Sequence, residues 1–301
     1  MVKIMKKEKQ IKYSLKNRWR SFTKQEKILL PLFYVGLLIF AIWAMLPVFF
    51  ALLNSVKTLD GYYNAPLGFP TDFQFSNYLN AFEITYRNNT VIQMLGNTVI
   101  FVITFLFANM FSSLCTAYIL SKFKFRGRGF LYGLAVIIQI IPIYGTQTAA
   151  YMFCDTIGLV DNIWFLWITA ANGFDYTFLI VYSYFENIDK NYSEAAKMDG
   201  ASNFIIFTKI MTPMVMPSIL IMGLSNLVGL WNDYSTALLF LPNHPTISTG
   251  VYALYDLSGR ITDGAVIYFA AIIIAIIPVT LIYIFTQKAI FKISLEGGIK
   301  G

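Results

Sequence analysis

Six apolar stretches, each about twenty residues or more in length, alternate with polar segments along the chain. They cover roughly residues 28–52, 95–120, 130–152, 163–185, 212–234 and 265–285. About twenty consecutive apolar residues are enough to cross the hydrocarbon core of a bilayer as an α-helix. The pattern therefore predicts an all-α membrane protein with six transmembrane helices.

The polar segments between these stretches differ in their content of basic residues. Of the 23 Lys and Arg residues, 20 lie in residues 1–27, 121–129, 186–212 and the C-terminal end. The other segments hold only Lys57, Arg87 and Arg260. Because cytoplasmic loops carry an excess of Lys and Arg, the basic segments, both termini included, are predicted to lie in the cytoplasm.

This orientation predicts the domain organisation. A basic cytoplasmic tail at 1–27 precedes a transmembrane domain at 28–293, and a cytoplasmic tail at 294–301 follows it. The composition agrees, because 57% of the residues are hydrophobic and 13% are charged, whereas soluble domains contain about 25% charged residues. The net charge of +7 would also suit a nucleic-acid binder, but its position at the ends of the apolar stretches favours membrane orientation.

The sequence offers little chemistry for an enzyme. Cys115 and Cys154 form no CxxC pattern, and His244, the only histidine, has no partner at metal-ligand spacing. No GxxxxGK[ST] loop is present, so the chain is not expected to bind ATP by a P-loop itself. An integral-membrane enzyme acting on lipid or glycan would need a cluster of acids, histidines or metal ligands, and the scattered aspartates do not form one.

Polar residues inside the apolar stretches are candidates for a translocation path. Asn172 and Asp175 fall near the middle of the fourth stretch, and Asn232 closes the fifth. A carboxylate at membrane depth is costly unless it meets water or a partner, so it is a functional candidate. A structural hydrogen bond between helices, or a water-exposed helix break at Asn172-Gly173, remains open as the alternative.

The cytoplasmic loop 186–212 contains the segment Glu194-Ala195-Ala196-Lys197-Met198-Asp199-Gly200. It is predicted to form a helix, a break and a second helix. Asp189 can cap the first helix, Gly200 can end it in the left-handed conformation, and Ser202 can cap the second. A rigid helical hairpin on a cytoplasmic loop predicts a docking element for a partner protein.

The order Glu194-Ala195-Ala196, Gly200, Ile210 and Pro213 resembles the EAA loop of the membrane permease subunits of ABC importers. That pattern has leucine where this chain has Thr212. Other segments resemble carbohydrate importers of the type of the smaller maltose permease subunit: Phe69-Pro70, Asn77-Tyr78, Asn97-Thr98, Phe125-Arg126-Gly127-Arg128, Trp231-Asn232-Asp233-Tyr234, Pro245-Thr246 and the glycine-rich C-terminus.

The resemblance implies the type I permease fold of ABC importers and a subunit that transports a sugar without being an enzyme. It also implies a contact between the EAA helix and an ATPase subunit, at Glu194, Ala195, Ala196, Met198, Asp199 and Gly200. The implied partners are a homologous second permease subunit, two ATPase subunits that bind ATP and Mg²⁺, and an extracellular or periplasmic solute-binding protein. The implied setting is a bacterial cell membrane, and an ABC permease for a non-sugar solute is the alternative.

The same resemblance implies positions for two further segments. The loop 235–264 would face the solute-binding protein, and the tail 294–301 would lie near the two ATPase subunits.

Overall fold

The computed structural model describes residues 22–141 and 145–297, with side chains described as far as Gln287. The chain divides into two compact units, Met1–Leu52 and Leu53–Gly301. Helix α1 (Lys24–Ser55) forms most of the described part of the first unit and ends three residues beyond Leu52. A capping box starts this helix, because the backbone N–H of Thr23 donates to Glu26 Oε2 at 2.7 Å and that of Glu26 donates to Thr23 Oγ1 at 3.3 Å.

The second unit is mainly helical. Its helices, in chain order, are α2 (Leu59–Asn64), α3 (Ser76–Glu83), α4 (Val91–Lys122), α5 (Arg128–Ile140), α6 (Thr146–Thr156), α7 (Tyr176–Asn187), α8 (Asn191–Met198), α9 (Asn203–Ile205), α10 (Thr212–Met214), α11 (Met216–Asn232), α12 (Tyr234–Phe240), α13 (Ile247–Leu257) and α14 (Gly264–Gly297). A 3₁₀ helix covers Leu166–Ala170, and a π-helix covers Ile206–Met211 between α9 and α10.

The prediction of an all-α chain needs one correction, because a small β-hairpin precedes α4. Strand β1 (Thr85–Tyr86) pairs antiparallel with strand β2 (Asn89–Thr90). The two residues between them, Arg87 and Asn88, have φ angles of 47° and 61°. Two positive φ angles match the type I′ turn, whose twist suits a tight hairpin. Strands of two residues are too short to leave a periodic signal in the sequence.

Among the described residues, three helices are long and apolar enough to cross a membrane. They are α1, α4 and the part of α14 from Gly264 to Gln287, and they match the predicted stretches 28–52, 95–120 and 265–285. A fourth crossing would come from the helical segment Asn203–Met214 together with α11. These two pieces meet at an angle of 75°, and α11 covers most of the predicted stretch 212–234.

The predicted stretches 130–152 and 163–185 do not form single helices. The first is divided into α5 and α6, and Gly145 before α6 has a φ of 83°. Pro142, in the gap, lies outside the described residues. The second contains the 3₁₀ helix and α7. Asp175 is the N-cap of α7, so this helix begins only in the second half of the stretch. A 12-residue helix such as α7 is about 18 Å long, less than the hydrocarbon core of roughly 30 Å.

Two hydrophobic clusters form the core of the second unit, and α4 contributes to both. The first cluster packs the start of α4, including Phe101 and Phe105, against α12, α13 and α14. The second cluster packs the end of α4, including Tyr118 and Leu120, against α7, α8 and the π-helix. Helix α4 therefore joins two separately packed halves, and the predicted docking loop belongs to the second.

Candidate functional site

The segment Glu194–Gly200 folds as the predicted helix and stop. The N-cap of α8 is Lys190, one residue after the predicted Asp189, and its side chain makes no capping bond. Asp189 instead accepts a hydrogen bond on Oδ1 from the backbone N–H of Asn191, the first residue of α8, at 3.0 Å. At the other end Gly200 has a φ of 80°. The N–H of Gly200 donates to the carbonyl of Lys197 at 3.0 Å, and the N–H of Ala201 donates to that of Ala196 at 2.9 Å. These two bonds form a Schellman motif, which requires the left-handed glycine at this position.

A second short helix follows the stop. The side chain of Ser202 accepts a hydrogen bond from the N–H of Ile205 at 3.3 Å and caps α9, as predicted. The backbone then passes into the π-helix and α10, and the 75° bend leads into α11. π-Helical turns inside helices often occur at functional sites. The segment after α8 is therefore a bent connection between the predicted docking loop and the apolar helix α11.

The residues of the segment Glu194–Gly200 face in different directions. Glu194, Ala195 and Met198 are exposed, and Met198 is 88% exposed. Ala196 is buried and belongs to the second cluster. Ala196 therefore packs inside the chain, whereas Glu194, Ala195, Met198 and Asp199 form the exposed surface of the hairpin, here called the docking face.

Aromatic side chains of α4, α7 and the π-helix pack together beside α8. The ring of Tyr118 on α4 lies 5.6 Å from that of Phe185 on α7 and 4.8 Å from that of Phe207 in the π-helix. Ile206 and Met211 are completely buried beside Ala196 in the same cluster. Close packing transmits displacement because protein interiors are dense, so α8 is mechanically joined to α4 and α7.

Thr212, where the EAA pattern has leucine, begins α10. Its hydroxyl is buried and has no hydrogen-bond partner among the described residues. A buried hydroxyl without a partner is unfavourable by roughly 1–3 kcal/mol. The position therefore suits an apolar side chain better than the threonine that occupies it.

Asp175 is the centre of a polar network between α4, α7 and α11. Its Oδ1 accepts from Ser113 Oγ at 2.6 Å and from the N–H of Phe178 at 2.8 Å. Its Oδ2 accepts from Asn109 Nδ2 at 2.9 Å. Asn226 donates from Nδ2 to Asn109 Oδ1 at 3.1 Å and to Thr177 Oγ1 at 3.0 Å. The carboxylate thus both caps α7 and fixes it to α4.

A cleft of about 280 Å³ opens beside this network. Asn109 and Asn226 line it together with Ser225, while Phe105 and Leu230 contribute apolar walls. The sequence analysis singled out Asp175 but not Asn109 or Ser113. Their signal was nevertheless present, because Asn109 and Ser113 stand four residues apart in an otherwise apolar helix and so share one face.

Asn172 lies outside this network. It is exposed, and its Oδ1 accepts from the N–H of Phe174 at 3.1 Å. Next to it, Gly173 approaches α4 closely: a Cβ at this glycine would overlap Thr116 Oγ1 and lie 3.2 Å from Thr116 Cβ. The helix break at Asn172-Gly173 is therefore present, and it packs against α4.

Asn232 belongs to a different cleft, of about 340 Å³, between α11, α12, α13 and α14. Its amide donates to the carbonyl of Val228 at 2.8 Å. The rings of Tyr234 and Tyr252 stack at this cleft with centroids 4.5 Å apart, and Ser248 adds a hydroxyl. Asp175 and Asn232 therefore lie at separate places in the fold.

A second polar cluster holds the loop between α12 and α13. Asp161 accepts from the N–H of Asn243 at 2.8 Å and from its side-chain amide at 2.6 Å, and its Oδ1 lies 3.2 Å from His244 Nδ1. Burial raises the pKa of the Asp161 carboxyl, and the hydrogen bonds from Asn243 and His244 lower it. The hydrogen bonds together outweigh burial, so the pKa lies below its normal value. Two residues of the β-hairpin also hold this loop: Asn89 Nδ2 donates to the carbonyl oxygen of Asn243, and Arg87 Nη1 donates to that of Pro242.

Lys57 organises the segment after α1. Its ammonium is buried and donates to the carbonyls of Ala65 at 2.8 Å and Pro66 at 3.1 Å. Burial lowers the pKa of Lys57. Within the described residues no group of three His, Cys, Asp or Glu side chains could hold a metal ion.

The sequence is similar to those of known transport proteins. The sequence profile of a family described as "Binding-protein-dependent transport system inner membrane component" matches residues 113–292. The chain is 30% identical over 293 residues to the polygalacturonan/rhamnogalacturonan transport system permease protein YtcP of Bacillus subtilis, covering 90% of this chain and 97% of that protein. It is 27% identical over 236 residues to the maltodextrin transport system permease protein MdxG of the same organism, covering 77% and 84%.

The fold is shared with solved structures of ABC transporters. A chain of a bacterial ABC transporter involved in the import of the acidic polysaccharide alginate superposes with a TM-score of 0.74 at 23% identity. The match covers 89% of this chain and 98% of that one.

Proposed function

The chain belongs to the family of binding-protein-dependent transport system inner membrane components, and from this membership we propose that its cargo is a sugar or oligosaccharide. The protein is a permease subunit of an ABC importer, a transport protein and not an enzyme, located in the inner membrane. The single observation that carries the carbohydrate proposal is the end-to-end similarity to YtcP, whose name specifies the transport of polygalacturonan and rhamnogalacturonan.

The proposed topology has six crossings with both termini in the cytoplasm. It is supported by the three long apolar helices, by the bent pair that includes α11, and by the charge bias of the loops. The divided stretches 130–152 and 163–185 supply the two remaining crossings in this proposal. Broken helices are compatible with membrane depth where they line a cavity or are buried in protein.

The docking face is proposed to contact an ATPase subunit. Glu194 offers an exposed carboxylate, Ala195 permits close approach, and Met198 projects as an apolar knob. The Schellman stop at Gly200 fixes the direction of the hairpin, and buried Ala196 anchors it to the second cluster. ATP and Mg²⁺ would be bound by two such ATPase subunits. A homologous second permease subunit would complete the pathway, and the binding protein would deliver the cargo from outside.

The translocation path is proposed to include Asp175 and Asn232, together with Asn172 at the helix break that precedes Asp175 in the sequence. The cleft at Asn232 combines an amide, a hydroxyl and the exposed tyrosine pair over an apolar floor. Aromatic faces and amides suit sugars, which present both apolar ring faces and hydroxyl groups. Asp175 would contribute by holding α4 and α7 at the wall of the neighbouring cleft.

The experiment is reconstitution of the importer in proteoliposomes with its cognate second permease, ATPase and binding protein. Import of labelled oligosaccharides and ATP hydrolysis are measured together. We expect a carbohydrate to stimulate both, and we expect Glu194→Gln and Gly200→Ala to abolish the stimulation of ATP hydrolysis. Glu83→Gln and Gly96→Ala are matched controls on exposed positions of α3 and α4.

Three outcomes would contradict these proposals. Stimulation by amino acids or peptides but by no carbohydrate would replace the proposed cargo with a non-sugar solute. Normal coupling in Glu194→Gln and Gly200→Ala would remove the docking face. Chemical conversion of lipid or glycan by the purified subunit would favour the membrane-enzyme alternative.

A further inference from the structure

Two basic side chains of the turn between α4 and α5 reach the end of α7. Lys122, the last residue of α4, donates from Nζ to the carbonyl oxygen of Ile188 at 2.8 Å. Arg128, the first residue of α5, donates from Nη2 to Glu186 Oε2 at 2.9 Å and to the hydroxyl of Tyr182 at 3.1 Å. Lys122 and Arg128 are together called the basic clamp.

The clamp acts where helix ends leave unpaired carbonyl groups. Ile188 is the C-cap of α7, and its carbonyl oxygen has no N–H donor within that helix. Lys122 also stands at the C-terminus of α4, so one ammonium lies at two negative helix ends at once. Arg128 holds Tyr182 and Glu186, which are one helical turn apart on α7. The clamp therefore fixes the last two turns of α7 to both α4 and α5.

The clamped segment leads directly into the docking loop. Only two residues, Asp189 and Lys190, separate Ile188 from the start of α8. Ala196 on α8 is packed against the same second cluster that contains Phe185 and Tyr118. A displacement of α8 must therefore move the end of α7, and the clamp is the polar connection from that end to α4 and α5.

The other basic residues of the turn behave differently. Lys124 and Arg126 are exposed, and the described residues give neither of them a hydrogen bond or ion pair. All four cations serve the orientation of the chain in the membrane equally well. Of these four, Lys122 and Arg128 alone bind α7 among the described residues, and orientation of the chain in the membrane does not require these hydrogen bonds.

We propose that the basic clamp is the connection through which movement of α8 reaches α4 and α5 during transport. This inference rests on the proposed function, because an ATPase subunit at the docking face supplies the movement. Lys122 and Arg128 are positioning residues in this role, acting through α7 and not on the cargo. Loss of the clamp should leave ATP hydrolysis in place while less of its effect reaches the membrane helices.

The test measures cargo imported per ATP hydrolysed by the complete importer in proteoliposomes. Lys122→Gln and Arg128→Gln should lower this ratio by at least about fivefold, the lower end of typical coupling between two sites. Arg126→Gln, in the same turn, should leave the ratio unchanged. Exchange of the pair, Arg128→Glu with Glu186→Arg, should restore most of the ratio, because the attraction survives the exchange and Tyr182 can donate to a carboxylate.

A merely structural or topological role would give different results. A wild-type ratio in both clamp variants would overturn the proposal, and so would an equal loss in Arg126→Gln or no recovery in the exchanged pair. If Arg128→Gln fails to assemble, Arg128→Lys retains the charge without the guanidinium fork. A lowered ratio in that variant supports the clamp, and a wild-type ratio overturns it. The ratio can be measured with any stimulating cargo, so failure of the carbohydrate proposal would be recognised separately.

Discussion

Asn109 donates a hydrogen bond from Nδ2 to Asp175 Oδ2 at 2.9 Å, across 66 positions of the chain. This bond lies between the stretches of α4 that enter the two hydrophobic clusters, after Phe105 and before Ala117. A polar layer thus separates the two packed halves of the second unit. Directional bonds at such a place fix how α7 sits on α4, which apolar packing alone would specify less sharply.

Asp175→Ala should destabilise the protein more than an ordinary surface substitution. The change removes the cap of α7 and leaves Ser113 and Asn109 without their acceptor, at a cost of about 2–3 kcal/mol. The free energy of unfolding of the purified subunit in detergent measures this effect. Asp155→Ala, at an exposed position of α6, is the control and should be nearly neutral. Equal stability of the two variants would show that the network is dispensable.

Gly173→Ala should disturb the contact between the helix break and α4. The added methyl group would overlap Thr116 Oγ1, and overpacking of this kind typically costs about 1–3 kcal/mol. The thermal midpoint of the purified subunit should therefore fall. The double variant Gly173→Ala with Thr116→Ala should recover part of the loss, because the overlapping atom is gone. Independent, additive effects of the two substitutions would contradict this close approach.

Thr212→Val should stabilise the protein. Valine has nearly the same shape but lacks the buried hydroxyl that has no partner among the described residues, so a gain of about 1 kcal/mol is expected. Thr208→Val in the same segment is the matched control, since Thr208 is exposed and its hydroxyl donates to the carbonyl of Phe204 at 2.8 Å. Thermal unfolding in detergent distinguishes the two. A lower midpoint for Thr212→Val would mean that the hydroxyl is satisfied in the membrane.

Stability should depend on pH through Asp161. The pKa of this carboxyl is lowered below its reference value of 3.8 in the folded protein. The ionised form therefore contributes stability that is present above pH 3.8 and is lost as the pH falls through the lowered pKa. The difference in unfolding midpoint between wild type and Asp161→Asn should shrink over that acidic window. A difference that stays constant from neutral to strongly acidic pH would remove Asp161 as the origin.

The local parts of the fold were predictable because their causes are local. The apolar stretches that became α1, α4 and α14 are continuous over the length a membrane requires, and the stop at Gly200 follows from neighbouring residues alone. The stretches 130–152 and 163–185 were predicted less well. The average hydrophobicity of a stretch does not reveal a helix break such as the one before Asp175. There a single glycine and a single capping carboxylate interrupt the helix, although the residues around them are apolar.

The candidate site was predictable only in part for a related reason. The residue pattern located the docking hairpin, yet the burial of Ala196 depends on Tyr118 and Phe185, which lie far away in the sequence. Asp175 stood out as a charge in an apolar stretch, whereas its partners Asn109 and Ser113 could not be paired with it before the helices were arranged in space.

By itself, the sequence determined that the chain is a membrane protein and where a rigid hairpin forms, and its charge bias predicts the orientation of the loops. Periodicity, charge bias and capping act over a few residues or over whole segments, so they can be read along the chain. Only the tertiary structure decided which polar residues meet: Asn109 with Asp175, and Arg128 with Glu186. Such contacts join residues that are distant in sequence, and their energy exists only once the helices have packed.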